Sequence, residues 1–356
     1  MDKTLTPMGR RLLKQWICLP LMRISDITER QDVVKFYQEN IETVQTLKTD
    51  LKGIPDLEKL ISSIHASGIK LPPNHPEQRA IYYEQATYAG KKVSKLLSTL
   101  ETLEKLEILF KQKLSNAQDS IFYHLIVEPF PDIEEALEFF KDAFDHRKAV
   151  ETGKIIPKKG VDEDYDKAKK DRLSLEQDLD DYLGEQKKFF GTSDVKYFGS
   201  GNNMYQLEVS ESVANKKVNS SYTLSSQRKG FKRFTTEETR EFLARQTKVD
   251  EDEAEALSEV NRKIFSKFSE HKNLWDKVIC QVSLADALLS LYSYSMSLGD
   301  ESCFPKFIQD TKPSLKFVKG RHPIVTAANP DVAFIPNDFE LKDQLAILTG
   351  ANMGKH

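Results

Sequence analysis

Between Pro157 and Pro305 the sequence contains no proline. Proline breaks helices by removing an amide donor and clashing with the preceding turn, so this stretch permits long uninterrupted helices. Glycine is scarce too, at 15 of 356 residues. With 30% charged and 39% hydrophobic residues, the balance is that of a charged, helix-rich chain and excludes a compact β-sandwich or a disordered tail. Cysteine is limited to Cys18, Cys280 and Cys303, far apart and without CxxC spacing. That argues against a metal or disulfide framework and for reduced thiols in an intracellular protein. No apolar run approaches the ~18–20 residues of a membrane span, and the opening MDKTLTPMGRR has no signal-peptide core. The expected location is the cytosol or nucleus. Net charge is only -3, so any nucleic-acid surface has to be local.

What is present is organised in blocks. The first part reads as helices joined by short turns. Thr6 before Pro7 fits a helix N-cap with proline at the first helical position, and Ile54-Pro55-Asp56 opens another helix at LEKLISSI. From Val93 to Phe110 apolar residues recur in steps of three and four. PDIEEALEFFKDAFDH starts a helix that ends near Gly153. After IIPKKG, the stretch VDEDYDKAKKDRLSLEQDLDDYLGEQKKFF is a helix with a thin apolar seam, polar enough that it must project or pair with one partner. The period then changes. KYFG, NNMYQLEV, SSYTLSS and KGFKRFTT are short, rich in β-branched and aromatic residues, and punctuated by Gly or Asn, which predicts a small antiparallel sheet. From Thr235 helical spacing returns, and a helix over about 250–298 would be roughly 70 Å long at ~1.5 Å per residue. The expected geometry is an arm, with one long helix out, a β tip, and another long helix back. After Gly299, LKFVKGRHPIV, VAFIPNDFEL and QLAILTG read as opening strands of an α/β domain.

Two constellations carry chemistry. Asn215 to Arg233 holds Lys216, Lys217, Arg228, Lys229, Lys232 and Arg233 and no acidic residue, whereas DEDEAEALSE at 250–259 is strongly acidic. Cations interleaved with Ser, Thr, Tyr and Phe on a small sheet suit contact with a phosphate backbone. The bland alternative is a solvated hairpin. The second constellation is ILTGANMGKH at 347–356, a strand entering a Gly-rich turn with a Lys. A phosphate-binding loop requires G-x-x-x-x-G-K-[ST]. Here the turn is one residue short, and His356 offers no hydroxyl for Mg²⁺, so this segment is not expected to hydrolyse ATP. His65, His75, His124, His146 and His271 show no ligand spacing, and Trp16 and Trp275 sit on apolar helix faces as core residues.

Taken together these segments resemble the MutS family of DNA mismatch-repair proteins, and in detail its eukaryotic members. TLTPMGRRLLKQWICLPL at 4–21, PDLEKLISSIH at 55–65, AFDHRKAVETGKIIPKKGVDEDYDKA at 143–168, NMYQLEV, KGFKRFTT, GRHPIV, FIPND and LTGANMGK follow the family's order across the chain. The resemblance implies a mainly α fold of long lever helices with a small inserted antiparallel β clamp, followed by the incomplete start of an α/β P-loop ATPase domain. It divides the chain into helical core and lever (1–186), clamp (187–248), returning lever helix (249–300) and the first part of the ATPase domain (301–356). It assigns backbone contacts with mismatched duplex DNA to the six cations named above. It assigns adenine stacking to Phe334 with Ile335 beside it, and phosphate contacts to Gly350, Asn352, Met353, Gly354 and Lys355. ATP and Mg, a second MutS homologue as heterodimer partner and a nuclear location come with the same resemblance. The family's additional Gly before the Lys, its Ser and Thr after it, the mismatch-reading domain and the connector domain have no counterpart in these residues. The expectation is therefore the middle portion of such a protein. The competing expectation is a helical scaffold whose arm pairs with partner helices and binds no nucleic acid.

Overall fold

A computed structural model describes residues 2–69, 82–299, 302–322, 324–325 and 334–342, with side chains described from residue 90 in the second of these stretches. The chain divides into two units, Met1–Asp300 and Glu301–His356. It is mainly helical with small antiparallel sheets. Among the described residues no helix is long and apolar enough to cross a membrane.

The first unit begins with α1 (Pro7–Cys18), α2 (Ile24–Glu39), α3 (Ile41–Leu51) and α4 (Leu57–Gly68). Thr6 caps α1 by accepting the Gly9 N–H, and Asp56 caps α4 by accepting that of Lys59. The next helix, α5 (Tyr82–Ile108), runs into a π-turn at Leu109–Lys113, and a second π-turn follows at Tyr123–Val127. Its predicted apolar stripe is the one it buries: Val93, Leu96, Leu97, Leu100, Leu103 and Leu106 are all at most 5% exposed.

The helix expected from PDIEEALEFFKDAFDH to Gly153 is two helices, α6 (Glu134–Ala143) and α7 (His146–Thr152). Phe144 leaves the helix in an extended conformation to bury its ring and bridge to Pro157, and Asp145 then caps α7. The single 250–298 helix is likewise corrected. Its residues belong to α10 (Glu237–Glu270) and α11 (Lys272–Ser297), which meet at His271. The break is held by Trp275, whose indole N–H donates to the Phe268 carbonyl at 2.8 Å while the two rings stack 5.0 Å apart. At ~1.5 Å per residue, α10 is about 50 Å long rather than 70. The second half, α11, is the central helix of the core, with Trp275, Val278, Val282, Ala285 and Leu288 fully buried.

The arm is formed by α8 (Glu163–Phe190) and α10 lying antiparallel. The direction is read from cross-links whose numbers fall on one helix as they rise on the other. Asp162 pairs with Lys263, Arg172 with Glu253 and Asp250, Asp178 with Arg245, and the Tyr182 hydroxyl meets that of Thr236. Leu175, Leu179 and Phe242 fill the thin seam between them. Inserted between the two helices are β1 (Lys196–Phe198), β2 (Gln206–Ser210), a short α9 (Glu211–Lys217), β3 (Thr223–Arg228) and β4 (Phe231–Thr235). The sheet is antiparallel throughout in the order β1-β2-β4-β3. A separate small core of Phe190, Val195, Leu207, Val209, Ala214 and Phe234 supports it.

In the second unit β5 (Ser314–Gly320) and β6 (Asn337–Lys342) pair antiparallel, with Leu315 opposite Leu341 and Phe317 opposite Phe339. The expected strand at QLAILTG lies outside the described residues.

Candidate nucleic-acid interface

Strand register sorts the basic cluster by face. Side chains alternate across a strand, and cross-strand partners share a face. One row runs over all four strands, pairing Lys196 with Glu208, Glu208 with Arg233, and Arg233 with Ser226. This face also carries Phe198, Phe231, Thr235 and Arg228. The opposite face carries Leu207, Val209 and Phe234, which pack on the small core, together with Lys232.

On the first face Glu208 is 1% exposed, the unusual case of a carboxylate buried in a sheet. Its Oε2 accepts from Arg233 Nε at 2.9 Å, and its Oε1 accepts from an Arg228 terminal nitrogen at 2.9 Å with Lys196 Nζ at 3.6 Å. The two guanidiniums lie over aromatic rings, Arg233 at 3.4 Å from the Phe198 centroid and Arg228 at 4.8 Å from that of Phe231. Burial pushes the Glu208 carboxyl up, but the Arg233 hydrogen bond and the charges of Arg228, Arg233 and Lys196 outweigh it and hold it below the usual value. It is shielded by side chains of the sheet's own surface rather than by a deep core.

On the other side, Lys217 Nζ donates to the Phe189 carbonyl at 2.8 Å, satisfying the C-terminal end of α8, and Lys232 Nζ donates to Asn215 Oδ1 at 2.7 Å. Lys229 and Gly230 form the two-residue loop between β3 and β4, where Gly230 adopts φ +84°. Among the described residues neither Lys216 nor Lys229 has a carboxylate within ion-pair distance, and both are exposed. The edge strand β3 is exposed at all six positions and carries Thr223, Ser225 and Ser226 ahead of Arg228 and the Lys229 loop. Arg240, from the first turns of α10, donates to the Thr223 hydroxyl at 3.1 Å. The outcome is a basic, hydroxyl-lined edge with unpaired Lys229, half-exposed Arg228 and Arg233 locked at 14% side-chain exposure, while Lys216, also unpaired, stands in the last turn of α9.

Sequence reading had not singled out Lys196, Phe198, Glu208 or Arg240. All four lie outside the basic run; strand register brings the first three to the cluster, and Arg240 reaches it from α10 through its hydrogen bond to Thr223. Of the residues expected to contact a nucleotide, Phe334 is half-buried and Ile335 is 78% exposed. Gly350, Asn352, Met353, Gly354 and Lys355 lie outside the described residues.

A small sheet carried between two long antiparallel helices, beside an all-helical core, is matched from residue 1 to residue 291 by the family model MutS domain III. The chain belongs to the MutS family. It is 35% identical over 376 residues to the DNA mismatch repair protein Msh6 of Homo sapiens and 34% over 376 to that of Gallus gallus, each alignment covering 99% of this chain and 28% of the relative. To the DNA mismatch repair protein MutS of Clostridium botulinum it is 26% identical over 370 residues, covering 99% of this chain and 35% of that protein. The chain thus spans about a quarter to a third of the length of these relatives.

Proposed function

We propose that the chain is the lever-and-clamp portion of a DNA mismatch-repair protein, and that its four-stranded sheet grips the phosphate backbone of mismatched duplex DNA without reading its sequence. The observation that carries this reading is the basic, hydroxyl-lined edge of β3 and β4 at the end of the α8–α10 arm. Lysine and arginine supply affinity by displacing counterions, and Ser and Thr add neutral hydrogen bonds to phosphate oxygens. The division of the chain at 186, 248 and 300 into core and lever, clamp, returning lever and ATPase start belongs to the same reading. So do ATP and Mg as cofactors of the whole protein, a second MutS homologue as its partner, and action in the nucleus.

The competing reading, a helical scaffold that offers its arm to partner helices, loses its main support. The thin apolar seam of α8 is already covered by α10 through Leu175, Leu179 and Phe242. A duplex-DNA titration of the chain, followed by fluorescence anisotropy, separates the two. Saturable binding that is lost when Lys216, Lys217, Arg228, Lys229, Lys232 and Arg233 are all changed to Gln supports the clamp. Equal binding by the chain and that variant removes it.

A further inference from the structure

A carboxylate on a surface meant for a polyanion is expected to weaken binding through simple repulsion. Glu208 is such a carboxylate, it is buried, and it stands at the centre of the row that crosses the sheet. Its two oxygens hold two guanidiniums with different freedom. Arg233 is 14% exposed, hydrogen-bonded through Nε and pressed against Phe198, so its charge is consumed within the sheet. Arg228 is 51% exposed and gives Glu208 only one terminal nitrogen, while its plane rests over Phe231. A guanidinium carries five N–H donors in a rigid fork, so the remaining donors of Arg228 stay available in a fixed orientation. Beside it lie the edge-strand hydroxyls Ser225 and Ser226 and the loop cation Lys229.

From this arrangement we infer that Glu208 is a positioning residue for DNA contact: it orients Arg228 as a pre-set phosphate donor and confines Arg233 to a strut inside the sheet. The inference rests on the backbone-contact reading proposed above. The rotamer freedom of Arg228 is lost on folding rather than on binding, which favours association. Arg228 therefore contributes a contact that depends on Glu208, whereas Arg233 contributes stability and no contact.

The test is a double-mutant cycle on duplex DNA, reading log affinity against log salt between 50 and 200 mM. Each phosphate contact adds about 0.9 to the slope, which over this fourfold change in salt is about a 3.5-fold change in affinity. Arg228→Gln is expected to flatten the slope by about 0.9 in the otherwise unchanged chain, and by less than about 0.3 beside Glu208→Gln. Glu208→Gln alone is expected to weaken binding although it removes a negative charge, and Arg233→Gln to leave the slope unchanged while lowering thermal stability. A Glu208→Gln chain that binds as tightly as the original or more tightly overturns the inference. So does an Arg228 decrement that is the same in both backgrounds. If circular dichroism shows Glu208→Gln unfolded, Arg228→Lys decides. It keeps the charge and loses the fork, so its affinity should fall below that of the original chain, and retention of the original affinity and slope overturns positioning. If the original chain shows no salt-dependent binding, the clamp reading fails and this one with it; salt-dependent binding with an Arg228 decrement indifferent to Glu208 defeats only the positioning.

Discussion

Thr6 and Asp286 lie 280 positions apart and meet at two points. The carboxylate Oδ2 accepts the Thr6 backbone N–H at 2.8 Å and its hydroxyl at 2.7 Å. The other oxygen accepts the Leu5 N–H at 2.8 Å, and Lys3 N–H donates to Ser290 one turn further along α11. The hydroxyl of Thr6 in turn accepts the Gly9 N–H and so caps α1. One buried acid therefore fastens the first helix of the unit to the helix at its centre. Asp286→Ala should cost about 3–5 kcal/mol, because it strands three donors around a fully buried position, and Asp286→Asn about 1–3 kcal/mol. Gly9 marks the closeness of the contact, since a Cβ there would fall 2.2 Å from Asp286 Oδ2, and Gly9→Ala should destabilise as well. Urea unfolding of the three variants measures all of this, and midpoints within error of the original chain contradict it.

The carboxylates at the ends of the arm make its stability acid-sensitive. Asp162, at the base, is pushed up by burial, but the Lys263 hydrogen bond and the N–H groups of Tyr165 and Asp164 outweigh this and hold it below its usual value, as Glu208 is held at the tip. A depressed folded-state value contributes stability that is present above the unfolded value, about 4, and is lost as pH falls through the folded one. Asp286 acts with the opposite sign. Burial pushes it up against its N–H and hydroxyl donors, so protonation favours the folded form and the penalty at neutral pH is relieved on acidification. The stability difference between the original chain and Glu208→Gln should be constant from pH 7 to 5 and shrink below about pH 4. A difference that grows on acidification contradicts this assignment.

The seam between α8 and α10 should unfold apart from the core. Leu175 is 1% exposed in a small cluster with Leu179 and Phe242, edged by Tyr182, Tyr197 and Tyr205 and distinct from the large core around α11. Leu175→Ala should cost about 2–4 kcal/mol, felt locally. Hydrogen exchange is the readout: protection should fall in Glu163–Phe190 and in the first turns of α10, while Trp275 to Tyr292 keeps its protection. A uniform fall along the chain would show that the arm and core are one cooperative unit.

Much of this organisation is legible in the sequence because it rests on local physics. The stripe from Val93 to Leu106, the proline-free arm and the four β segments follow from period and propensity, and the structure places helices and strands there. The breaks at His271 and at Phe144 were not legible. Each is made by a tertiary contact, of Trp275 with Phe268 and of Phe144 with Pro157, on a stretch whose spacing continues the helical period. The short helix Glu211–Lys217 was hidden between two strands. The basic run was visible, but its partition was not. Which lysines remain unpaired and which arginines face an internal acid depend on register, and composition says nothing of register.

The central claim is that the sheet's cations hold a DNA backbone, and the salt slope of duplex binding tests it most directly. With Lys216, Arg228 and Lys229 each meeting a phosphate, log affinity should fall with log salt at a slope of about −2.7, and changing those three residues to Gln should bring it close to zero. Undiminished binding by the triple variant at ~150 mM salt, or a slope unchanged by the substitutions, would contradict the account.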